Sequence, residues 1–412
     1  MGYVGFPLAR LMATRYDTVA FDCDEKRVNT LKDGVDTTGE LTPEEMKLLL
    51  SNNRFSITSK VDNLCDCTVY IVAVPTPVDV DNRPDLDPLL CASRLVGTIL
   101  KPGDTIIYES TVYPGVTEEE CVPCLERISR LKFNRDFFVG YSPERVNPGD
   151  KEHTVETIMK VTSGSTPEVA EFIDRLYRSV LKGGTYKVSS IRVAEASKII
   201  ENTQRDVNIA FMNELAKIFN AMGLDTREVI AAASTKWNFI PMQPGLVGGH
   251  CISIDPYYLI QKAQVYGVMP RVISEARRLN DGMGEYVANQ VVRLMNKKNI
   301  RVKGSRILIL GFAFKENCPD IRNTKVADVY STLSEYTSYL TVYDPWVSVA
   351  QVEQVYDLKI KTELPEGPFD AIVMAVAHQE FEKIDYKKLL AERAVLYDVK
   401  GILPRNLVDG RL

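Results

Sequence analysis

Gly2-Tyr3-Val4-Gly5 runs straight into the apolar stretch Phe6–Ala13, then through Thr18–Phe21 to Asp22. The reading of these residues decides the fold. Glycines ahead of an apolar helix let the backbone approach a phosphate, and a helix N-terminus favours an anion there. Asp22 stands seventeen positions after Gly5. A dinucleotide-binding fold places the carboxylate that holds the adenosine ribose about 20 residues on. An acidic rather than a basic residue at that place points to NAD over NADP. Taken alone, the same residues also suit an ordinary glycine-containing helix start. The fingerprint's first glycine and the strand ahead of it would lie before Met1. The expectation is therefore an N-terminal truncation, or a start assigned at an internal Met. That strand is central in a doubly wound sheet, so its loss should cut the sheet.

Working outward, short apolar runs alternate with helical patterns. Val69–Val74, Thr105–Tyr108 and Phe137–Val139 read as buried parallel strands, with Leu86–Leu100 a helix among them. Alternation of this kind implies βαβ units in a doubly wound sheet. The pattern changes at Ser190–Met222, which holds no glycine or proline and is followed by Gly223, a natural C-cap. At about 1.5 Å per residue such a helix runs roughly 50 Å, a length that joins domains or builds a subunit interface. Glu228–Ala233 and Val272–Met295 add further helix. A second α/β block opens at Lys303-Gly304-Ser305, with Arg306–Leu310 its first strand and Gly311 at the strand end; Leu340–Tyr343, Ala371–Ala375 and Val395–Tyr397 read as further strands. The fold class is α/β: two Rossmann-like doubly wound domains joined by a long central helix and a helical middle part.

Composition narrows the function. The 412 residues are 45% hydrophobic and 25% charged, values of a globular chain with a real core. A net charge of −5 offers no field for nucleic acid or an anionic membrane. No run approaches the roughly 20 apolar residues of a membrane span, and neither a signal peptide nor a myristoylation signal is present, so a cytoplasmic location is expected. Eight cysteines in a chain of this length are no disulfide framework. Cys65/Cys67 and Cys121/Cys124 lack a second pair at ligand spacing, and the Glu118-Glu119-Glu120 run ahead of Cys121 reads as helix; no metal site is expected.

Cys251 stands apart. It ends Pro244-Gly245-Leu246-Val247-Gly248-Gly249-His250-Cys251, with Asp255 four residues on. A thiol on a glycine-rich loop with a carboxylate behind it is what a covalent catalyst needs, since the thiolate is the strongest side-chain nucleophile. By itself it also fits a small buried hydrophobe.

Further motifs change that balance: Val74-Pro75-Thr76-Pro77, Glu109-Ser110-Thr111-Val112 and Tyr141-Ser142-Pro143-Glu144-Arg145. To these add Ala194-Glu195-Ala196-Ser197-Lys198 with Glu201-Asn202-Thr203-Gln204-Arg205, and Phe314-Lys315-Glu316-Asn317-Cys318-Pro319-Asp320-Ile321-Arg322. On these the whole chain resembles the UDP-sugar 6-dehydrogenases. Gly-His-Cys, Asp255-Pro256-Tyr257-Tyr258-Leu259 and the extra loop residue at Leu246-Val247 resemble the UDP-N-acetylglucosamine branch of the Vi-antigen type.

The resemblance implies three parts: an NAD-binding Rossmann-like domain at 1–187, a helical dimerisation domain carrying the catalytic loop at 188–298, and a UDP-sugar-binding α/β domain at 299–412. It implies two hydride transfers to NAD, with Cys251 holding the sugar as thiohemiacetal and then thioester. Lys198 and Asn202 would stabilise an oxyanion from one helix face. Asp255, Thr111 and Glu144 would share water activation and proton transfer, with the general base left open among them. Gly2, Tyr3, Val4, Gly5, Asp22, Thr76, Ser110, Thr111 and Arg322 would meet the cofactor. Glu144, Arg145, Lys198, Asn202, Gly248 and Lys315 would meet the substrate. A homodimer through the long helix and a role in surface polysaccharide follow by the same resemblance. UDP-N-acetylmannosamine, UDP-N-acetylgalactosamine and UDP-glucose stay open as substrates, and a truncated chain that binds UDP-sugar without oxidising it is the reading from another class.

Overall fold

The computed structural model describes residues 1–79, 83–146 and 152–412. The chain packs as two units, Met1–Glu201 with Tyr257–Val265, and Asn202–Pro256 with Tyr266–Leu412.

In unit 1, helix α1 (Gly5–Met12) leads to strand β1 (Thr18–Phe21), α2 (Glu25–Lys32), α3 (Pro43–Leu50) and β2 (Phe55–Thr58). Local chemistry sets these starts. The Asp24 side chain caps α2, and Thr42 and Glu45 form a reciprocal capping box ahead of Pro43 at the first position of α3. Phe6, Val28, Leu31, Met46 and Ile57 close a small core around the parallel pair β1–β2. Then follow β3 (Val69–Val72), α4 (Asp87–Ile99), β4 (Thr105–Tyr108), α5 (Val122–Ser129), β5 (Phe138–Tyr141), β6 (Lys160–Gly164), α6 (Pro167–Arg178) and β7 (Thr185–Lys187). These strands form one sheet in the order β3-β4-β5-β6-β7. β4 is buried throughout: Ile106 and Tyr108 enter the core on one face and Ile107 the core on the other. The strands of unit 1 therefore form two sheets, β1–β2 and β3–β7.

Two expectations shift. The parallel pattern holds through β5, but β6 pairs antiparallel with it. β6 escapes a hydrophobicity reading because Lys160, Thr162 and Ser163 are polar; each is buried on a hydrogen-bonding partner instead. The Glu118–Glu120 run folds as a single π-helical turn, Thr117–Cys121, that feeds α5. Cys121 and Cys124 lie buried there, and burial pushes the Cys121 thiol up to about 12.

Helix α7 (Ile191–Met222) spans 32 residues, about 48 Å at 1.5 Å per residue, its residues to Glu201 counted with unit 1 and those from Asn202 with unit 2. Gly223 ends it at φ +74°, where a side chain would be strained. Next come α8 (Thr226–Ala233), α9 (Asp255–Val265), α10 (Arg271–Asp281) and α11 (Met283–Lys297). The single helix expected over Val272–Met295 is therefore broken at Gly282, the C-cap of α10.

Unit 2 closes with β8 (Ile307–Leu310), α12 (Val326–Ser334), β9 (Leu340–Tyr343), α13 (Val349–Tyr356), β10 (Phe369–Met374), α14 (Tyr386–Leu389), β11 (Leu390–Asp398) and β12 (Gly410–Arg411). All five strands are parallel, in the order β12-β11-β10-β8-β9. Ile307 and Ile309 face a core built with α11 and α12, while Leu308 and Leu310 face another with Phe381, Tyr386 and Leu389. Both faces are covered, as a parallel sheet requires. The chain steps from β8 to β9 on one side and returns to β10 on the other. Ligands bind outside the strand ends at such a switch point.

Candidate active site

In unit 1 the strand ends carry hydroxyls. Thr76, after β3, donates from Oγ1 to Thr111 O at 2.6 Å, and Ser110, after β4, donates from Oγ to Val74 O at 2.6 Å. These two bonds lace the β3 and β4 loops together, so both side chains act first as turn residues. The loop after Thr111 is fixed from α7. The Glu195 carboxylate accepts the N–H of Gly115 at 2.6 Å and of Thr117 at 3.0 Å. Burial pushes Glu195 up to about 7 against those bonds.

Gly2, Tyr3 and Val4 precede α1, and Asp22 follows β1, accepting the Asp24 N–H at 2.9 Å and the Met1 amino group. A Cβ on Gly2 would meet nothing within 4 Å. A helix N-terminus with a carboxylate at the neighbouring strand end fits a dinucleotide.

Glu144 and Arg145 follow β5. They do not pair with each other through their side chains: the Arg145 guanidinium grips Glu201 at 2.7 Å and 3.1 Å, and Glu144 Oε1 accepts the N–H groups of Arg145 and Val146. Lys198, 8% exposed, lies on α7 one turn before Asn202.

In unit 2 the Cys251 loop is held from several sides. Asn213 of α7 clamps Gly245 both ways, donating to its carbonyl at 3.0 Å and accepting its N–H at 2.8 Å. Gly248 must be glycine, because a Cβ there would stand 2.6 Å from Asn323 O. Gly249 donates to Arg322 O at 3.1 Å, and Asn323 Nδ2 returns a bond to Gly249 O at 2.9 Å. Past the thiol, Cys251 O accepts the Asp255 N–H at 2.8 Å, which starts α9. Asn202 Nδ2 donates to Asp255 Oδ2 at 2.5 Å. Cys251, Asn202 and Asp255 are thus assembled in one place. Cys251 itself is half-buried.

A narrow cleft lies at the β8/β10 switch point, lined by Leu246, Gly248, Phe314, Thr324, Lys325 and Lys400 among others. Gly311, at φ +89° with Val376 packed where its Cβ would be, lets β8 turn into this cleft. Lys325 and Lys400 were not singled out in the sequence, since an isolated lysine gives no signal until topology brings it to a strand end. Burial lowers Lys325, but the Asp281 and Asp328 carboxylates outweigh it and hold the ammonium above its ordinary value. Arg322 forks onto Asp320 with three contacts of 2.5–3.0 Å, and Lys315 lies over the Phe314 ring at 5.8 Å. Neither side chain lines the cleft. Among the described residues no cluster of three or more His, Cys, Asp or Glu side chains is shaped for a metal, and no helix is long and apolar enough to cross a membrane.

Three models of one family match the chain: the UDP-glucose/GDP-mannose dehydrogenase NAD-binding domain over residues 1–181, its central domain over 192–282 and its UDP-binding domain over 308–405. The chain is 53% identical to UDP-N-acetyl-D-glucosamine 6-dehydrogenase of Pseudomonas aeruginosa, covering 100% of this chain and 98% of that protein. It is 51% identical to the Salmonella typhi protein of the same name, covering 100% and 97%. Among solved structures, UDP-D-ManNAc dehydrogenase of Pyrococcus horikoshii superposes with a TM-score of 0.89 at 30% identity, covering 100% of this chain and 96% of that one. With the dinucleotide-binding elements of unit 1 and the switch-point cleft of unit 2, these matches identify the chain as an NAD-dependent dehydrogenase of the UDP-glucose/GDP-mannose dehydrogenase family.

Proposed function

We propose that the protein oxidises the 6-hydroxyl of UDP-N-acetylglucosamine to the uronic acid, consuming two NAD per turnover. The observation that carries this reading is the Cys251 loop, bonded backbone to backbone to the segment that lines the unit 2 cleft. A UDP group in that cleft, beside Lys325 and Lys400, would present its sugar to the thiol. The near-full-length similarity to two proteins named for UDP-N-acetylglucosamine supports the choice of sugar.

NAD would be held at the start of α1 beside Asp22 and would supply the hydride acceptor. Cys251 Sγ adds to the aldehyde carbon, keeping it from hydration, and later carries the acyl group as a thioester. Lys198 and Asn202 offer an ammonium and an amide to the oxygen as it gains charge. Asp255, oriented by Asn202, and Glu144 hold and move protons, and Thr111 orients the hydrolytic water. Gly248 shapes the substrate side, with Arg145 and Lys315 as flanking contacts; Thr76, Ser110, Tyr3, Val4, Gly5 and Arg322 serve the cofactor. The division 1–187, 188–298 and 299–412 is our functional partition. The acid product suits surface polysaccharide. We place the reaction in the cytoplasm, where NAD and UDP-sugars are pooled.

The test is an assay across UDP-N-acetylglucosamine, UDP-N-acetylgalactosamine, UDP-N-acetylmannosamine and UDP-glucose. Two NADH per acid with the first sugar is expected. A higher kcat/KM on the mannosamine sugar would favour the second reading, which the Pyrococcus relative supports. Silence on all four would leave a binding subunit.

The active form is a homodimer. Val193, Ile200, Phe211, Ile218 and Met222 recur on one stripe of α7, from 45% (Val193) to 64% (Met222) exposed. Exposed apolar residues that recur on one face of a helix suit a partner surface. Phe211→Asp with Ile218→Asp should halve the mass in light scattering; a wild-type monomer at micromolar concentration would refute the dimer.

A further inference from the structure

A buried charge cluster lies beside Glu144. Glu109, at the end of β4, accepts from Lys160 Nζ at 2.9 Å and from the Tyr177 hydroxyl. All three side chains are buried. Lys160 Nζ also donates to Pro143 O at 3.2 Å, the carbonyl just ahead of Glu144, and stands 3.9 Å from Glu144 Oε2. That oxygen is shielded from solvent and has no hydrogen-bond partner among the described residues. The only other cation next to Glu144 in sequence, Arg145, is engaged by Glu201. An orphaned carboxylate oxygen normally costs stability, so its arrangement calls for a use.

We propose that Lys160 is a positioning residue for the reaction above, its ammonium shared between Glu109 and Glu144 so that Glu144 Oε2, with no hydrogen bond of its own among the described residues, is aimed as the acceptor for a proton leaving a reacting O–H group. The inference rests on the reading of Glu144 as a proton-transfer group. When Oε2 takes the proton it becomes a neutral acid and later releases the proton to solvent. The electrostatics support a shared cation. Burial pushes Glu109 up, Lys160 opposes that, and the charge on Glu144 adds to it. Glu109 and Glu144 therefore compete for one ammonium, and Tyr177 steadies Glu109 by its hydrogen bond.

This geometry makes a prediction with two opposite signs. Lys160→Met removes the cation, so protonation of Glu144 becomes easier. The low-pH limb of kcat should move up by about one pH unit, the scale of an opposite charge at this range. Glu109→Gln frees the ammonium for Glu144 and removes a like charge, so the limb should move down. The double variant, neutral on both sides, should lie between them. Lys160→Arg should restore most of the wild-type profile.

The experiment is kcat against pH from 5 to 9 for the full chain and these variants, with thermal melts alongside. Should Lys160→Met alone fail to fold for want of a partner to Glu109, Glu109→Gln and the double variant still carry the comparison. Limbs that stay fixed, or that move the same way in both single variants, overturn the proposal. Glu144→Gln in the same assay separates the two readings. Full activity there removes Glu144 from the reaction; loss of activity there with fixed limbs in the Lys160 and Glu109 variants overturns only the part given to Lys160.

Discussion

Cys251→Ser is expected to stop the reaction short of the acid. A serine hydroxyl keeps the size of the thiol but is far less ionised and far less nucleophilic. The loop around it keeps its shape, because the backbone bonds at Gly245, Gly249 and Cys251 O are unchanged. Acid formation should fall by at least about 1000-fold, on the order of 4 kcal/mol of barrier at roughly 1.4 kcal/mol per decade. The first oxidation does not need the sulfur, so up to one NADH per active site can still form, with aldehyde or a trapped adduct as its partner. Mass spectrometry of the protein after one turnover, beside an NADH count, reads both. Acid at the wild-type yield would rule out the covalent route.

Arg277→Ala is expected to be the most destabilising single change in unit 2. Arg277 of α10 is 1% exposed, pairs with buried Asp206 of α7, binds Asp281 at 3.0 Å and reaches Ile252 O at 3.4 Å. Asn280 Nδ2 adds a 2.7 Å bond to Asp206. Removing one partner of a buried pair leaves an uncompensated charge and costs about 3–5 kcal/mol. The loss should depend on pH. Burial pushes Asp206 up to about 6, with Arg277 and Asn280 pulling it down. Its folded pKa lies above its unfolded one, so its contribution already falls as pH rises from about 3.8 to 6. Without the arginine it climbs further, and the variant's deficit must grow as pH passes 6. Urea unfolding at pH 5 and pH 8 reads this directly: a small deficit at the lower pH, the full one at the higher. An equal deficit at both would mean that the arginine matters as bulk and not as charge. Because Arg277 also holds Ile252 O, the variant should lose kcat even where it stays folded.

Much of this was legible from residue order. Strands rich in Val and Ile, such as β4 and β8, announce themselves because both faces are buried. The long α7 follows from the absence of glycine and proline, and its end from Gly223. Cys251, Asn202 and Asp255 were singled out, and unit 2 does assemble them. What escaped had physical reasons. β6 is polar, its side chains satisfied by partners far off in sequence, and no periodicity encodes that. Gly282 interrupts an otherwise helical pattern, and a lone glycine does not say whether it will be tolerated. Lys325 and Lys400 reach one cleft only through the strand order, and the Lys160–Glu109–Tyr177 cluster joins three separate elements.

The contact between Gly248 and Asn323 has a consequence for anyone redesigning this protein. The thiol's loop and the wall of the nucleotide cleft meet main chain against main chain at Gly248, with no room there for even a methyl group, and Asn323 Nδ2 ties the two again at Gly249 O. Residues 320–325 therefore cannot be swapped for those of a relative with another taste in nucleotide sugars while 245–251 stay behind. The two segments are one part in two pieces, and a chimera should exchange both or neither.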